Sequence, residues 1–475
     1  MNQVDFLTNY IDQHSSDYIS MSDTIWGYAE HRFQEHQSAS LQQTYLRNDG
    51  FRIRTNLAGE ETAFIAEYGD GKPVIAFCGE YDALAGLSQQ AGVSQREPLP
   101  DQSCGHGCGH NLLGTGCLAA ATALRAYMEA NNLPGTIRYY GCPAEENAGG
   151  KAFLVRDGFF DDCDIALYWH PFAYNQVVYG SSNANFRVFF TFTGTAAHAA
   201  SAPHLGRSAL DAVELMNVGV NYMREHMIDE ARVHYAVTDT GGDAPNVVQR
   251  RAQVLYAIRA PELGQVRSLY ERIVKIAQGA ALMTETTVEI KQVASYANVI
   301  SNTVICRQME KYFAKLPPVQ YTQDELDFAQ CIKQTLLDED REGLENGAKA
   351  FFGRELAREQ LAQPIYTAMA ENNKHIAMKG SADLGDVSWK VPAAYFYGTS
   401  WAAGTPPQSW QATAQGKSSI AHKGMLHASK VLACVAYDFL TNPELVQQAR
   451  EELLKTLDGE EYVCPLPPEC KPEVW

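Results

Sequence analysis

The sequence has little of several features that define large classes of proteins. Positive charge is scarce, because 38 Lys and Arg stand against 56 Asp and Glu in 475 residues, which gives a formal charge of −18. Nucleic-acid binding without sequence preference needs clustered Lys and Arg, so this balance argues against it. The longest clean apolar run, residues 117–124, is far shorter than the ~20 residues that span a bilayer.

Signals for export are also missing. The first residues, MNQVDFLTNYIDQHSSD, contain neither a basic region nor an apolar stretch of the secretory type. The 11 cysteines are spread at irregular spacings, and without an export signal they indicate reduced thiols or metal ligands more than a disulfide framework. We expect a cytoplasmic protein that binds neither membrane nor nucleic acid.

Two catalytic motifs are absent. No G-x-G-x-x-G follows a strand, which leaves dinucleotide binding unsupported. The P-C-x-x-C half of the zinc nucleobase deaminase signature is missing as well. The composition, with 45% hydrophobic and 20% charged residues, is that of an ordinary globular protein of several domains.

The order of apolar patterns predicts an α/β fold of two domains, one of them split. After residue 50, short apolar runs such as PVIAFCGEY and TIRYYGC alternate with helical stretches, which is typical of a mostly parallel sheet. Residues 185–298 then follow the order strand, helix, strand, strand, helix, strand of a ferredoxin-like domain. We therefore predict a first domain of residues 1–184 and 299–475 with residues 185–298 inserted. The polar stretch 321–373 carries no recognisable motif.

The densest chemical signal is CGHGCGHNLLG at residues 104–114, where a Cys-Gly-His unit occurs twice. Thiolate and imidazole are good zinc ligands, and glycine lets the backbone turn two side chains toward one ion. Cys108 and His110 are the favoured ligands. Cys104 and His106 fit a metal site or a structural turn equally well. A nucleophilic Cys108 is an alternative that suits the neighbouring His110 less well than a metal does.

A second signal, Glu145-Glu146, directly follows a predicted strand and precedes glycines. Open α/β sheets place their active sites at such strand ends. Adjacent side chains on extended backbone point in opposite directions, so one carboxylate can bind a metal while the other faces the reacting water. A Glu-Glu pair alone is more often a solvated turn.

Other polar residues lie at the ends of predicted elements. His170 ends a strand, Asp82 follows another, and His422 is preceded by two serines that can cap a helix. Each could be a structural residue. In the inserted domain, Asn246 and Arg259 are placed to meet a ligand, and arginine suits capture of a carboxylate.

Together these motifs resemble the metallopeptidase family that includes aminoacylases, glutamate carboxypeptidase and hippurate-type amidohydrolases. The resemblance covers nearly the whole chain and is carried by GEYDALAGLSQQAG, GHGCGHNLLGTG, HLGRSALDAV, GDVSWK and SIAHKGM. It implies a catalytic domain with two divalent ions, zinc or manganese, and a mixed sheet. It also implies that the inserted ferredoxin-like domain is a lid that mediates dimerisation.

The resemblance further implies a role for each residue. The implied metal ligands are Cys108, His110, Glu146, His170 and His422. The implied catalytic residues are Glu145 as general base, Asp82 as the carboxylate behind the ligands, and His198, which in relatives reaches the partner's active site. Asn246 and Arg259 match positions of substrate contact.

The chain departs from the family at one motif. Many members have His-x-Asp with a ligating histidine, whereas this chain has Glu80-Tyr81-Asp82. In the branch that shares this feature, Cys108 would bridge the two ions.

The implied activity is hydrolysis of an amide between an acyl or aroyl group and an amino acid, with p-aminobenzoyl-glutamate as the expected substrate. A dipeptidase or another N-acyl-amino-acid amidohydrolase is the alternative within the class. The chain could also be a regulatory partner with little activity alone, because relatives pair with a paralogous chain. A homodimer or such a heterodimer is expected.

Overall fold

The computed structural model describes residues 2–337, 356–370 and 380–474, together with positions 339, 343 and 352. Parts of the polar stretch 321–373 therefore lie outside the described residues. None of the helices in the described ranges combines the length and apolar character that a membrane span requires.

Thirteen strands are present in this part of the chain. They are β1 (Arg52–Leu57), β2 (Glu60–Asp70), β3 (Val74–Glu80), β4 (Leu84–Ala85), β5 (Cys104–Gly105), β6 (Gly135–Cys142), β7 (Ile165–Phe172), β8 (Gln176–Val177), β9 (Ala184–Thr193), β10 (Arg232–Asp239), β11 (Arg251–Ala260), β12 (Thr287–Tyr296) and β13 (Ala393–Thr399).

The α-helices of the same ranges surround these strands. They are α1 (Gln3–Gln13), α2 (Ser15–Tyr28), α3 (His36–Asn48), α4 (His110–Asn131), α5 (Gly150–Arg156), α6 (Ala209–Met223), α7 (Leu263–Thr284), α8 (Thr303–Lys315), α9 (Gln323–Gln334), α10 (Leu384–Lys390), α11 (Trp410–Gln415), α12 (Ser419–Thr441) and α13 (Pro443–Leu457). Short 3₁₀ turns lie at Pro203–Leu205 and Arg224–His226.

The larger sheet has seven strands in the order β1-β2-β6-β3-β7-β13-β8. The four neighbours β6, β3, β7 and β13 run parallel, whereas β1, β2 and β8 pair antiparallel. Every residue of β3 and β13 is buried, which is the pattern expected of strands covered on both faces. The sheet is therefore mixed, with a parallel centre.

Helix α4 is buried along most of its length, because its residues from Leu112 to Leu124 are all apolar or small. It packs against β3, β7 and the equally buried α12. Its glycines allow the backbone to approach the sheet closely: a Cβ on Gly114 would lie 2.2 Å from the carbonyl oxygen of Glu80. The close packing of α4 thus fixes the position of its N-terminus next to the ends of the strands.

A four-stranded unit, residues 184–296, interrupts this domain. Its elements follow the order β9, α6, β10, β11, α7, β12, and its antiparallel sheet has the order β10-β11-β9-β12. The alternate side chains Phe186, Val188, Phe190 and Phe192 of β9 belong to a separate hydrophobic core. Because side chains alternate along a strand, the odd-numbered residues of β9 lie on the opposite face.

We expect Gly114→Ala to lower the free energy of unfolding by about 1–3 kcal/mol, because its methyl group would overlap backbone atoms of β3. Gly27→Ala is the control, since Gly27 is also helical but exposed, with no atom within 4 Å of its added Cβ. It should be neutral or raise stability by ~0.5–1 kcal/mol. Urea unfolding measures both. Equal stability of the two variants would contradict the close packing of α4.

Candidate metal centre

Several of the residues singled out from the sequence lie where the central strands of the larger sheet end. β3 ends at Glu80, β6 ends at Cys142 shortly before Glu145 and Glu146, and His170 lies near the end of β7. Because these strands are parallel neighbours, their carboxyl ends meet at one edge of the sheet. This edge is the place expected for an active site in an open α/β sheet.

His110 is held by Asp82. It is the first residue of α4, and the preceding Gly109 has a φ of +74°, a left-handed conformation that glycine adopts without strain. Asp82 Oδ1 lies 2.7 Å from His110 Nδ1, and Asp82 Oδ2 accepts a 2.9 Å hydrogen bond from the backbone N–H of Glu146. Asp82 thereby favours the tautomer with the proton on Nδ1, which leaves Nε2 available to coordinate a metal ion.

Cys108 and His170 form the next part of the group. The Sγ of Cys108 lies 3.5 Å from Nε2 of His170, whose Nδ1 lies 2.7 Å from the carbonyl oxygen of Pro171. A carbonyl only accepts, so Nδ1 donates and the Nε2 lone pair faces the thiol. The coordinating atoms of Cys108, His110 and His170 lie within 4.8 Å of one another.

Carboxylates make up a second, overlapping group. Glu80, His110 and Glu145 also offer atoms that lie within 4.8 Å of one another. His110 Nε2 is 3.2 Å from Glu80 Oε2 and 3.9 Å from Glu146 Oε1. His110 belongs to both groups but has one free nitrogen, so it can coordinate an ion in only one of them.

Two buried atoms test whether a metal fits. His110 Nε2 and Glu146 Oε1 have no hydrogen-bond partner among the described residues, although such buried groups are normally paired. Sulfur, imidazole and carboxylate donors converging on one point are the ligand types of zinc and similar divalent ions. The residues present therefore fit a divalent metal centre.

The pKa directions reflect burial first and then the crowding of negative charge at this site. Burial, followed by the charges of Glu80 and Asp383, raises the pKa of Glu145 well above its usual value. Burial raises the pKa of Glu146 to about 7 and that of the Cys108 thiol well above normal. A divalent cation would favour the ionised forms that coordinate it.

A cavity of about 370 Å³ opens onto this group. Cys108, Glu145, Glu146 and His170 line one part of it. An aromatic wall is formed by Tyr168, Phe172, Tyr395 and Tyr397, and polar groups come from Ser182, Arg187, Arg259 and Ser381. The cavity thus joins the candidate metal centre of the larger domain to two arginines of the four-stranded unit.

A model of the peptidase family M20/M25/M40 matches residues 76–468. The chain belongs to this family. This confirms the resemblance inferred from the motifs and makes the protein a metal-dependent hydrolase. The B subunit of the p-aminobenzoyl-glutamate hydrolase of Escherichia coli (strain K12) is 44% identical over 477 residues, which cover 98% of each chain.

Solved structures agree with this assignment at the level of the fold. An aminobenzoyl-glutamate utilization protein from Klebsiella pneumoniae matches with a TM-score of 0.62 and 20% identity, over 91% of this chain and 98% of that one. A dinuclear metal-binding M20 peptidase from Bacillus subtilis matches with a TM-score of 0.55 and 17% identity, over 90% and 99%. The predicted mixed α/β fold is confirmed, and divalent metal binding accords with the M20 family.

His422 lies apart from the other predicted ligands. It is in the first turn of α12, where Ser418 caps the helix, and its Nε2 lies 2.8 Å from Asp23 Oδ1 on α2. It neither lines the cavity nor belongs to a candidate metal group of the described residues. Its place on α12 directs this side chain to Asp23, so the geometry does not support its predicted place among the ligands.

His198 and Asn246 are also remote from the cavity within this chain. Both are exposed and close together, because the backbone N–H of Ala199 donates to the carbonyl oxygen of Asn246. They lie in the loops next to one end of the β9–β11 pair, whereas Arg259 lies at the other end, opposite Asn185. Of the three residues predicted in the inserted unit, only Arg259 lines the cavity.

Sequence analysis missed the partners of Glu80. Lys151 of α5 donates from Nζ to Glu80 and, over 2.6 Å, to Asp383, while the Tyr168 hydroxyl donates to Glu80 over 3.0 Å. The side chains of all three ion-pair partners are completely buried. The E-Y-D departure marked Glu80 as unusual, but no local pattern pointed to a lysine or an aspartate so distant in sequence.

Gln408 is a second residue that sequence analysis missed. Its Nε2 donates over 2.9 Å to Glu146 Oε2, so Glu146 presents its unpartnered Oε1 to His110. Gln408 has a φ of +54°, a conformation that is rare for residues other than glycine and often found at functional sites. The loop GTPPQSW contains turn residues but no signal for this contact.

We expect Lys151→Met to lower the free energy of unfolding by about 3–5 kcal/mol, because it leaves Glu80 and Asp383 buried without their cation. Lys72→Met is the matched control, since Lys72 forms a 3.0 Å ion pair with Asp164 but its side chain is 61% exposed. Its effect should stay below about 1 kcal/mol. Chemical denaturation measures the free energy of unfolding of both variants. Similar losses of stability would contradict the conclusion that burial makes the Lys151 ion pairs important.

Proposed function

We propose that the protein hydrolyses the amide bond between an acyl or aroyl group and an amino acid, with p-aminobenzoyl-glutamate as the preferred substrate. The observation that carries the proposal is the single cavity that brings together the candidate metal centre, an aromatic wall and two arginines. The 44% identity to one chain of a hydrolase named for this substrate supports the choice of substrate.

Cys108, His110 and His170 would hold divalent metal together with Glu146, whose Oε1 lies 3.9 Å from His110 Nε2, and Glu80 and Glu145 form an overlapping group with His110. Thiolate ligation favours zinc over manganese. Bound divalent ions in such sites polarise the scissile carbonyl and lower the pKa of water toward neutrality. Asp82 and Gln408 would orient two of the ligands. Asp82 binds Nδ1 of His110 and Gln408 binds Oε2 of Glu146, so His110 Nε2 and Glu146 Oε1 stay free for the metal.

Glu145 is the proposed general base. It lines the cavity next to the ligand Glu146, and its carbonyl oxygen accepts a hydrogen bond from the Tyr296 hydroxyl over 3.2 Å. A carboxylate in this place can take the proton of the attacking water and deliver it to the leaving amine. This hydrogen bond would hold the backbone of Glu145 in position beside the cavity.

The walls of the cavity match the two halves of the substrate. Tyr168, Phe172, Tyr395 and Tyr397 offer ring faces and edges against which an aroyl ring can pack. Arg259 has the guanidinium geometry that binds the free carboxylate of the amino acid through two hydrogen bonds. These features favour an aroyl-amino acid over a short dipeptide.

The four-stranded unit is proposed to be a ferredoxin-like lid and dimerisation domain spanning residues 185–298, with a catalytic domain of residues 1–184 and 299–475. Its strand order and its separate core support this division. The exposed position of His198 is consistent with a role in the active site of a partner chain. That partner is a second copy or a paralogous chain, since the relative from Escherichia coli is named as one of two different subunits.

The function is tested by supplying purified, metal-loaded protein with p-aminobenzoyl-glutamate, hippurate and dipeptides, alone and with a paralogous chain. We expect turnover to be highest for p-aminobenzoyl-glutamate, and Glu145→Gln to reduce it by about 10²–10⁴-fold with the metal still bound. Glu61→Gln, at an exposed position, is the control. A fully active Glu145→Gln variant would exclude the proposed base, and faster cleavage of dipeptides would exclude the proposed substrate.

A second test concerns the metal ligands. His170→Ala removes one coordinating nitrogen, so its metal content after dialysis should fall well below that of the unaltered protein. His422→Ala should retain its metal, because His422 pairs with Asp23 instead. Elemental analysis of both purified variants gives the stoichiometry. Loss of metal from His422→Ala would restore the sequence-based prediction and contradict the geometry described above.

A further inference from the structure

We infer that Arg187 is a specificity-determining residue that binds a second carboxylate, so that the enzyme selects amides of dicarboxylic amino acids. The inference rests on the proposed function and deepens it. Arg187 was not among the residues that the sequence singled out. It lines the same cavity as Glu145, His170 and Arg259.

The strand register places the two arginines side by side. Arg187 of β9 lies opposite Ala257, and Arg259 of β11 lies opposite Asn185, two residues further along. Side chains of directly opposed residues share a face, so Arg187 and Arg259 are diagonal neighbours on the face away from the hydrophobic core of the unit. The Cα atoms of diagonal neighbours of this kind are about 7–8 Å apart, so their two guanidinium groups can each meet one carboxylate of the same amino acid.

Neither arginine has an acidic partner. Among the described residues, neither guanidinium forms an ion pair within 4.0 Å, although the charge of Glu145 acts on Arg259 from further away, and the buried Nε of each has no hydrogen-bond partner. Arg187 is anchored only through neutral acceptors, with its Nη1 2.6 Å from Asn147 Oδ1 and its Nη2 3.5 Å from the carbonyl oxygen of Glu146. These two hydrogen bonds orient the guanidinium, but their neutral acceptors do not compensate its charge.

Two unpaired cations in a partly buried wall are unfavourable without an anion. Burial lowers the pKa of Arg259 and the charge of Arg187 lowers it further, while Tyr296 and Glu145 act in the opposite direction. The adjoining Asn185 is completely buried, and both of its side-chain polar atoms lack partners in the described part of the chain. Three neighbouring side chains thus have unused hydrogen-bonding capacity at the same end of one sheet.

One carboxylate carries a single negative charge, so it compensates the charge of one of the two guanidinium groups. If Arg259 holds the α-carboxylate, as proposed above, Arg187 is available for a carboxylate on the amino-acid side chain. Guanidinium binds carboxylate through a planar pair of hydrogen bonds, which a neutral carboxamide of the same shape cannot fully replace. Selectivity should therefore appear as preference for a glutamyl over a glutaminyl substrate.

The test measures binding without turnover, in the full-length, metal-loaded Glu145→Gln variant. Isothermal titration with p-aminobenzoyl-glutamate and p-aminobenzoyl-glutamine gives two dissociation constants that differ only through the second carboxylate. We expect Arg187→Met to weaken binding of the glutamyl ligand about 10- to 100-fold and to leave the glutaminyl ligand nearly unchanged. Arg259→Met should weaken both, because both ligands carry the α-carboxylate.

Two further variants separate specificity from structure. Arg187→Lys keeps the charge and should recover part of the preference, whereas Arg251→Met, at an exposed arginine of β11, should change neither affinity. Equal weakening of both ligands by Arg187→Met, or no preference before mutation, would overturn the inference while the proposed hydrolysis stands. Failure to bind either ligand, together with failure to hydrolyse them, would overturn the proposed function and the inference with it.

Discussion

The two carboxylate oxygens of Asp82 connect the segments on which the candidate metal centre depends. One oxygen holds the His110 ring at the start of α4, and the other holds the backbone of Glu146 beyond the end of β6. A helix and a loop from different parts of the chain are thereby fixed at hydrogen-bond distances. Because both Asp82 and His110 are buried, breaking either contact would leave an unpaired polar group away from water.

Charge balance is the second constraint on this site. Glu80, Asp82, Glu145 and Glu146 lie close together, and Lys151 forms ion pairs with Glu80 and Asp383 among the buried carboxylates. The remaining carboxylates need positive charge, which divalent ions would supply at His110 Nε2 and Glu146 Oε1. Lys151 is therefore not a further ligand candidate, because it forms buried ion pairs with Glu80 and Asp383.

The cavity is formed by both parts of the molecule. The larger domain supplies the candidate ligands and the aromatic wall, and the four-stranded unit supplies Arg187 and Arg259. The Tyr296 hydroxyl of β12 bonds the Glu145 carbonyl, and Arg187 bonds Asn147, so the two parts touch beside the proposed base. A negatively charged protein can thus present positive charge to an anionic substrate within one cavity.

The residue types and their local spacing were sufficient to predict the mixed α/β fold and the family, and they singled out Cys108, Glu145, Glu146 and His170, which line one cavity. Cys108 with His110, and Glu145 with Glu146, are recognisable because their chemistry is encoded within a few adjacent residues. His170 could be identified as a strand-end histidine for the same reason. The residues of such a motif are adjacent in sequence, so they lie close together wherever the motif stands at the end of an element.

Only the tertiary structure decided which distant residues complete the site. Lys151 meets Asp383, Gln408 meets Glu146, and His422 pairs with Asp23, all across long separations in sequence. The adjacency of Arg187 and Arg259 depends on the register between β9 and β11, which a shift of one residue would abolish. Buried polar partners of this kind leave no periodic pattern, because each contact is set by how separate strands and helices pack together.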